Sequence, residues 1–213
     1  MKSILVIGAG KFGHYFCHFL QKQDCEVMIV DGEEDKLSDM LGYVSSAKIG
    51  DCTRRDVVES LGVEDFEDCV VCIPGDFQNS LQVVDLLREC GAKRITAVAS
   101  TEIQAKFLEK NGADSVIFPD RDRAERAAVS IADDTVFDYR KLSDGYGIYE
   151  IIPPKRWLGQ AVVSVDVRRK YNINIISIKT PSGHMLIPTP DYVFNNEDHL
   201  MVFCKDAAIE KLQ

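Results

Sequence analysis

Gly8, Gly10 and Gly13 stand in the stretch ILVIGAGKFG, spaced G-x-G-x-x-G directly after a run of strand-forming residues. Glycine at the first position lets the chain turn sharply, and at the second it lets a phosphate approach the backbone. At the third it lets the following helix lie close to the sheet. The free amides at the start of that helix then face an anion. Asp31 ends the second apolar run, where a carboxylate accepts ribose hydroxyls and repels a 2′-phosphate. Lys11, inside the loop, sets a cation beside the phosphates. Together these residues predict a nucleotide or dinucleotide site.

Three other groupings have residue types that do chemistry. His14, Cys17 and His18 share a side of the first helix, but they bring no further ligands near enough to complete a metal site. Cys69 and Cys72 form C-x-x-C inside the strand-like run CVVCIP, where residues three apart point to opposite faces. A redox pair instead sits at a helix N-terminus, so these read as core thiols. His184 and His199 fall in or beside strands, with no nucleophile or carboxylate at motif spacing. No acid–base constellation is present, and the expectation is a protein that is not an enzyme.

The elements that position the loop follow from periodicity. Short β-branched runs at 3–7, 27–30, 47–49, 69–73, 95–99 and 115–118 alternate with helical stretches at 53–61, 77–90 and 101–111. The first helix shows Phe12, Tyr15, Phe16, Phe19 and Leu20, a stripe expected to pack on a sheet. Strands apolar throughout imply a parallel sheet covered on both faces, with right-handed crossovers and order 3-2-1-4-5-6. The fold class is α/β: a Rossmann-type doubly wound parallel sheet followed by a small α+β C-terminal domain. The boundaries expected are 1–137 for the nucleotide-binding domain with its charged crossover helix at 120–134, a polar linker at 138–147, and a second domain at 148–213. In the latter, runs at 148–152, 173–179, 184–188 and 199–204 and a short helix near 163–171 surround a TPSG hairpin turn. About 65 residues make a small domain that gains from a partner surface, so dimerisation is expected.

The composition of the 213 residues, 46% hydrophobic and 28% charged, is that of a globular protein. A net charge of −9 argues against nucleic acid as partner. Seven scattered cysteines read as reduced thiols of a cytosolic protein. Met1, Lys2 and Ser3 lead straight into the first strand, and no apolar run is long enough to span a membrane, so no direct membrane insertion is expected.

The ordered set VIGAGKFG, VD at 30–31, GDCT at 50–53, LEKNGAD at 108–114, VIFPD at 116–120 and LSDGYGIYEI at 142–151 resembles the Trk/Ktr potassium-uptake regulators. These are TrkA-N plus TrkA-C proteins with RCK domains, and the likeness is greatest to the single-repeat Ktr type. The resemblance implies a cytoplasmic regulatory subunit, peripheral to the inner face of the membrane through a separate potassium transporter. It implies a homodimer and a homo-octameric ring whose shape is biased by ATP or ADP. NAD or NADH in the same site is the alternative, and a small NAD-dependent oxidoreductase is a more distant one. It places phosphates on the loop from Gly8 to Gly13, including Phe12, with Lys11 where an arginine is frequent. It places ribose on Asp31, adenine by Asp51, Cys52 and Thr53, and Ile73 and Pro74 at the next strand's end. Asp120 matches an acid that takes part in binding a cation near the phosphates. Val162, Val163, Arg168, Ile175, Ile176 and Pro190 match a cyclic di-AMP site of some relatives. Four departures stand out: Lys11 lacks the fork of an arginine, Val98 stands where many relatives have a basic residue, Asp120 is shorter than a glutamate, and Val162 and Val163 replace isoleucines.

Overall fold

A computed structural model describes residues 1–212. The chain divides into two compact units, Met1–Arg121 and the residues from Asp122 onward. In the first, strands alternate with helices: β1 (Lys2–Ile7), α1 (Lys11–Leu20), β2 (Cys25–Asp31), α2 (Glu34–Ser38), β3 (Ser46–Ile49), α3 (Arg55–Glu59), β4 (Asp68–Val71), α4 (Phe77–Glu89), β5 (Ile95–Val98), α5 (Glu102–Lys110) and β6 (Ser115–Ile117). All pairings are parallel, in the expected order β3-β2-β1-β4-β5-β6. The pleat explains why the central strand is apolar at successive positions: Leu5 and Ile7 enter one core while Ile4 and Val6 enter the other.

Helix α1 packs differently from the stripe expected of it. Phe12, Phe16 and Leu20 lean on the second core, but Tyr15 and Phe19 are 63% and 60% exposed. The innermost positions are Gly13 and Cys17. Small residues bring the helix close to the sheet, and Tyr15 and Phe19, each two residues on from one of them, then point outward. 

Helix α6 (Pro119–Ala132) covers the expected crossover helix, begins with a proline suited to a first turn, and buries none of its residues. Beyond it come β7 (Val136–Ser143), β8 (Tyr146–Ile151), α7 (Val162–Val165), α8 (Val167–Tyr171), β9 (Asn174–Lys179), β10 (Met185–Leu186), β11 (His199–Lys205) and α9 (Asp206–Glu210). They form an antiparallel sheet ordered β10-β9-β11-β8-β7. The segment 138–147, expected as a linker, is instead most of the β7–β8 hairpin. Its polar residues are those of an edge strand, and Gly145 turns the hairpin at φ +75°. Gly147 is required for another reason: a Cβ there would come within 2.5 Å of the Tyr139 ring, which lies beside Tyr149. The TPSG turn does close a hairpin, with Gly183 N–H donating to Thr180 O at 2.8 Å.

Candidate nucleotide site

The sheet order reverses between β1 and β4, and the loops leaving the C-terminal ends of the strands part there. They enclose an open cleft of about 660 Å³, a volume ordinary for a small-molecule site. Gly8, Gly10, Lys11, Phe12, Asp31, Asp51, Cys52, Thr53, Ile73, Pro74 and Asp120 all line it. Gly13 lies beneath the loop, where a Cβ would collide with the carbonyl oxygen of Gly8. Gly8 has φ +103°, and a Cβ on it would stand 2.6 Å from the Cys72 carbonyl oxygen. Around Gly10 there is nothing within 4 Å. Two of the glycines are thus demanded by the protein's own packing, while the third leaves open space in the cleft.

Asp31 binds the loops together before any ribose arrives. Its Oδ2 accepts the Ala9 amide at 2.7 Å and its Oδ1 accepts the Glu33 amide at 2.9 Å. A carboxylate has about four acceptor sites, so two remain open toward the cleft. Asp51 is likewise engaged: its Oδ1 accepts the Thr53 hydroxyl at 2.6 Å and the Thr53 amide at 3.0 Å. Those two bonds hold its carboxyl below the usual value. Cys52 beside it is buried, which pushes its thiol up to about 12. Cys72 at the end of β4 is raised as well, by burial first. Thiols so protonated are poor nucleophiles.

Several lining residues carried no expectation. Glu33 Oε1 accepts from Lys36 Nζ at 2.6 Å at the Asp31 end, and Lys36 is raised first by that bond and then by Asp31. Asp76 Oδ1 accepts the Asn79 amide at 3.0 Å, capping α4. An Asp three residues before a helical Asn, ahead of an apolar run, is a readable cap signal. Ser100 donates to the Pro74 carbonyl at 3.3 Å and so joins the β4 and β5 loops. Val98 is 2% exposed and its backbone also borders the cleft, so no cation arises there. Lys11 lines the cleft and forms no ion pair among the described residues.

The remaining groupings lie away from the cleft's chemistry. His14 and His18 pack edge-on against Tyr43 at 5.7 and 5.0 Å, whereas Cys17 turns into the core and is pushed to about 12 by burial. Cys69 and Cys72 are free and enter opposite cores. His199 Nδ1 lies 2.7 Å from Glu150 Oε1, and His184 borders the TPSG turn, its Nδ1 3.3 Å from Ser182 Oγ. In the second unit the Val163 amide donates to the Pro190 carbonyl at 3.0 Å, and α8, with Arg168, packs on β9, with Ile175 and Ile176. Val163 and Ile176 are 62% and 47% exposed.

Residues 4–119 match the TrkA-N domain and residues 147–213 the TrkA-C domain. The chain belongs to the TrkA-N plus TrkA-C family of RCK proteins, which are regulatory subunits and not enzymes. Within it the chain is a Ktr-type potassium-uptake regulator. It is 36% identical to Ktr system potassium uptake protein C of Bacillus subtilis, over 94% of this chain and 91% of that one. It is 32% identical to Ktr system potassium uptake protein A of the same organism, over 100% and 96%. The fold is also that of the GsuK channel bound to NAD, with a TM-score of 0.70, 18% identity, 99% of this chain and 39% of the channel chain. The chain thus spans well under half of that channel. No helix among the described residues is long and apolar enough to cross a membrane.

Proposed function

We propose that this chain is the nucleotide-sensing subunit of a potassium-uptake system. ATP or ADP in the cleft biases the shape of a homo-octameric ring, built from dimers, which gates a separate membrane potassium transporter from the cytoplasmic side. The observation that carries the reading is the space over Gly10, flanked by Lys11 at the phosphate end and Asp31 at the ribose end. A ligand moves such a ring only by as much as it prefers one shape. Exposed Val163, Ile176, Met185, Ile187 and Val193 on the second unit suit a dimer contact. Val162, Val163, Arg168, Ile175, Ile176 and Pro190 are the residues on which cyclic di-AMP would act there, and Asp120 the one for a cation near the phosphates.

NAD or NADH is the second reading. It is favoured by the glycine spacing and by the NAD-bound channel of the same fold. Calorimetry of the full chain with ATP, ADP, NAD and NADH separates the two. Binding of dinucleotides alone would discard the ATP/ADP version. Potassium flux into liposomes holding the transporter, with and without this chain and each nucleotide, tests the gating role. Unchanged flux in every combination would refute it.

A further inference from the structure

Lys155, Arg156, Arg168, Arg169, Lys170 and Lys211 are exposed, and none forms an ion pair among the described residues. Three other cations of the same unit are engaged, Arg126 with Asp138, Lys141 with Asp144 and Lys179 with Glu150, whereas Arg123, Arg140 and Lys205 form no ion pair among the described residues. The fold sets one of the six, Arg156, against Tyr171 and ties it to the Lys211 backbone, while Lys155 and Lys170 are chain neighbours of that pair. The Arg156 guanidinium lies 5.3 Å from the centre of the Tyr171 ring, and its Nε donates to Tyr171 Oη at 3.3 Å. Its Nη2 donates to the Lys211 carbonyl, also at 3.3 Å. Lys155 adjoins Arg156 in the single turn Lys155–Trp157, and Lys170 adjoins Tyr171 at the end of α8. Beneath Tyr171 lies Trp157, 1% exposed, its ring edge-on at 5.1 Å.

The surroundings of that phenol favour negative charge. Tyr171 is held below its ordinary value, first by the neighbouring Trp157 indole and then by the Arg156 guanidinium. Because Tyr171 Oη accepts from Arg156, its own O–H remains to be donated to an incoming acceptor.

We propose that Lys155, Arg156, Lys170 and Lys211, centred on Tyr171, form a docking surface for a short acidic segment of a partner protein. Carboxylates suit this arrangement: they pair with guanidinium and ammonium groups and accept the phenol's hydrogen bond. The length of the occupant follows from charge. The chain as a whole carries −9. A nucleic acid or an anionic bilayer extends over many screening lengths of about 8 Å and meets the acidic remainder of the surface as well. A short acidic segment feels chiefly the patch.

The test is the fluorescence anisotropy of a short fluorescein-labelled Asp/Glu-rich peptide titrated with the full chain, at low salt and at about 150 mM. Saturable binding that weakens with salt is expected. The triple variant Lys155→Gln/Lys170→Gln/Lys211→Gln should bind at least about tenfold more weakly. Those side chains make no hydrogen bond within the described chain, and an unchanged unfolding midpoint verifies that the fold is kept. The control Lys106→Gln/Lys110→Gln on α5 should bind as the parent does. No peptide binding, or equal loss in triple variant and control, overturns the proposal. Tighter binding of single-stranded DNA or of phosphatidylglycerol vesicles than of the peptide overturns it too.

Discussion

The two units use their sheets in opposite ways. In the first, parallel strands are buried on both faces, so the surface left for a ligand is the edge where the loops emerge. There the turns are stretched between successive strands and helices, and they bring Gly10, Lys11, Asp31 and Asp51 to one cleft. In the second, antiparallel strands are joined by tight hairpins such as β7–β8 and β9–β10. What that unit presents is surface: exposed apolar residues round Val163 and Ile187, and cations round Tyr171. One sheet suits a small ligand held in a crevice, the other suits contact with another chain.

The sharpest way to break this contrast is to fill each unit's indispensable glycine. Gly13→Ala in the first unit and Gly147→Ala in the second should each cost about 2–4 kcal/mol of stability, read as a lower denaturation midpoint. In each, the new Cβ meets packed atoms, the Gly8 carbonyl or the Tyr139 ring. Gly10→Ala is the counterpart. It meets nothing within 4 Å, so stability should move by no more than about 1 kcal/mol, while nucleotide affinity falls by tenfold or more. A Gly10→Ala protein with full affinity would remove the ligand from that space.

Asp31→Ala should weaken nucleotide binding by about 1–3 kcal/mol in calorimetry, the loss of hydrogen bonds to a charged acceptor. It also frees the Ala9 and Glu33 amides, so part of the loss comes through the loop.

Acid should distinguish the units next. Asp68 is held below its ordinary value by Arg94 first, Asp114 by the Ile95 amide first, and Asp51 by the Thr53 hydroxyl first. Their folded values lie below the unfolded one, so the stability they contribute is whole above about pH 4 and is lost as pH falls through the folded values. All three lie in the first unit. The single tryptophan, Trp157, reports on the second. In an acid titration, helix signal from circular dichroism should fall at higher pH than Trp157 fluorescence changes, and Asp68→Asn should flatten that earlier limb. The reverse order would undo the comparison. The smallest effect belongs to Lys36→Gln, whose pair with Glu33 is exposed: nucleotide affinity should change by less than about 1 kcal/mol.

Much of the first unit was legible in the residues. Each strand run and each longer helix lies near its expected place, because apolar periodicity is a local property. The cleft residues were legible too, since the glycine spacing and Asp31 describe one turn and the end of the next strand. The β7–β8 hairpin was not. Its polar, glycine-punctuated composition fits an edge strand and a linker equally, and only pairing with β8 decides between them. Nor was the outward turn of Tyr15 and Phe19, because Gly13 and Cys17 set which face of α1 meets the sheet.

By itself, then, the sequence determined the alternation of strand and helix, the glycine loop and the carboxylate that follows it, all of which depend on near neighbours along the chain. Tertiary structure alone decided that Gly8 and Gly13 serve packing while Gly10 faces open space in the cleft. It also decided that Asp31 ties two loops together, and that Arg156 meets both Tyr171 and the Lys211 carbonyl. Those outcomes depend on which distant backbone passes within a few ångströms, and no local pattern encodes that distance.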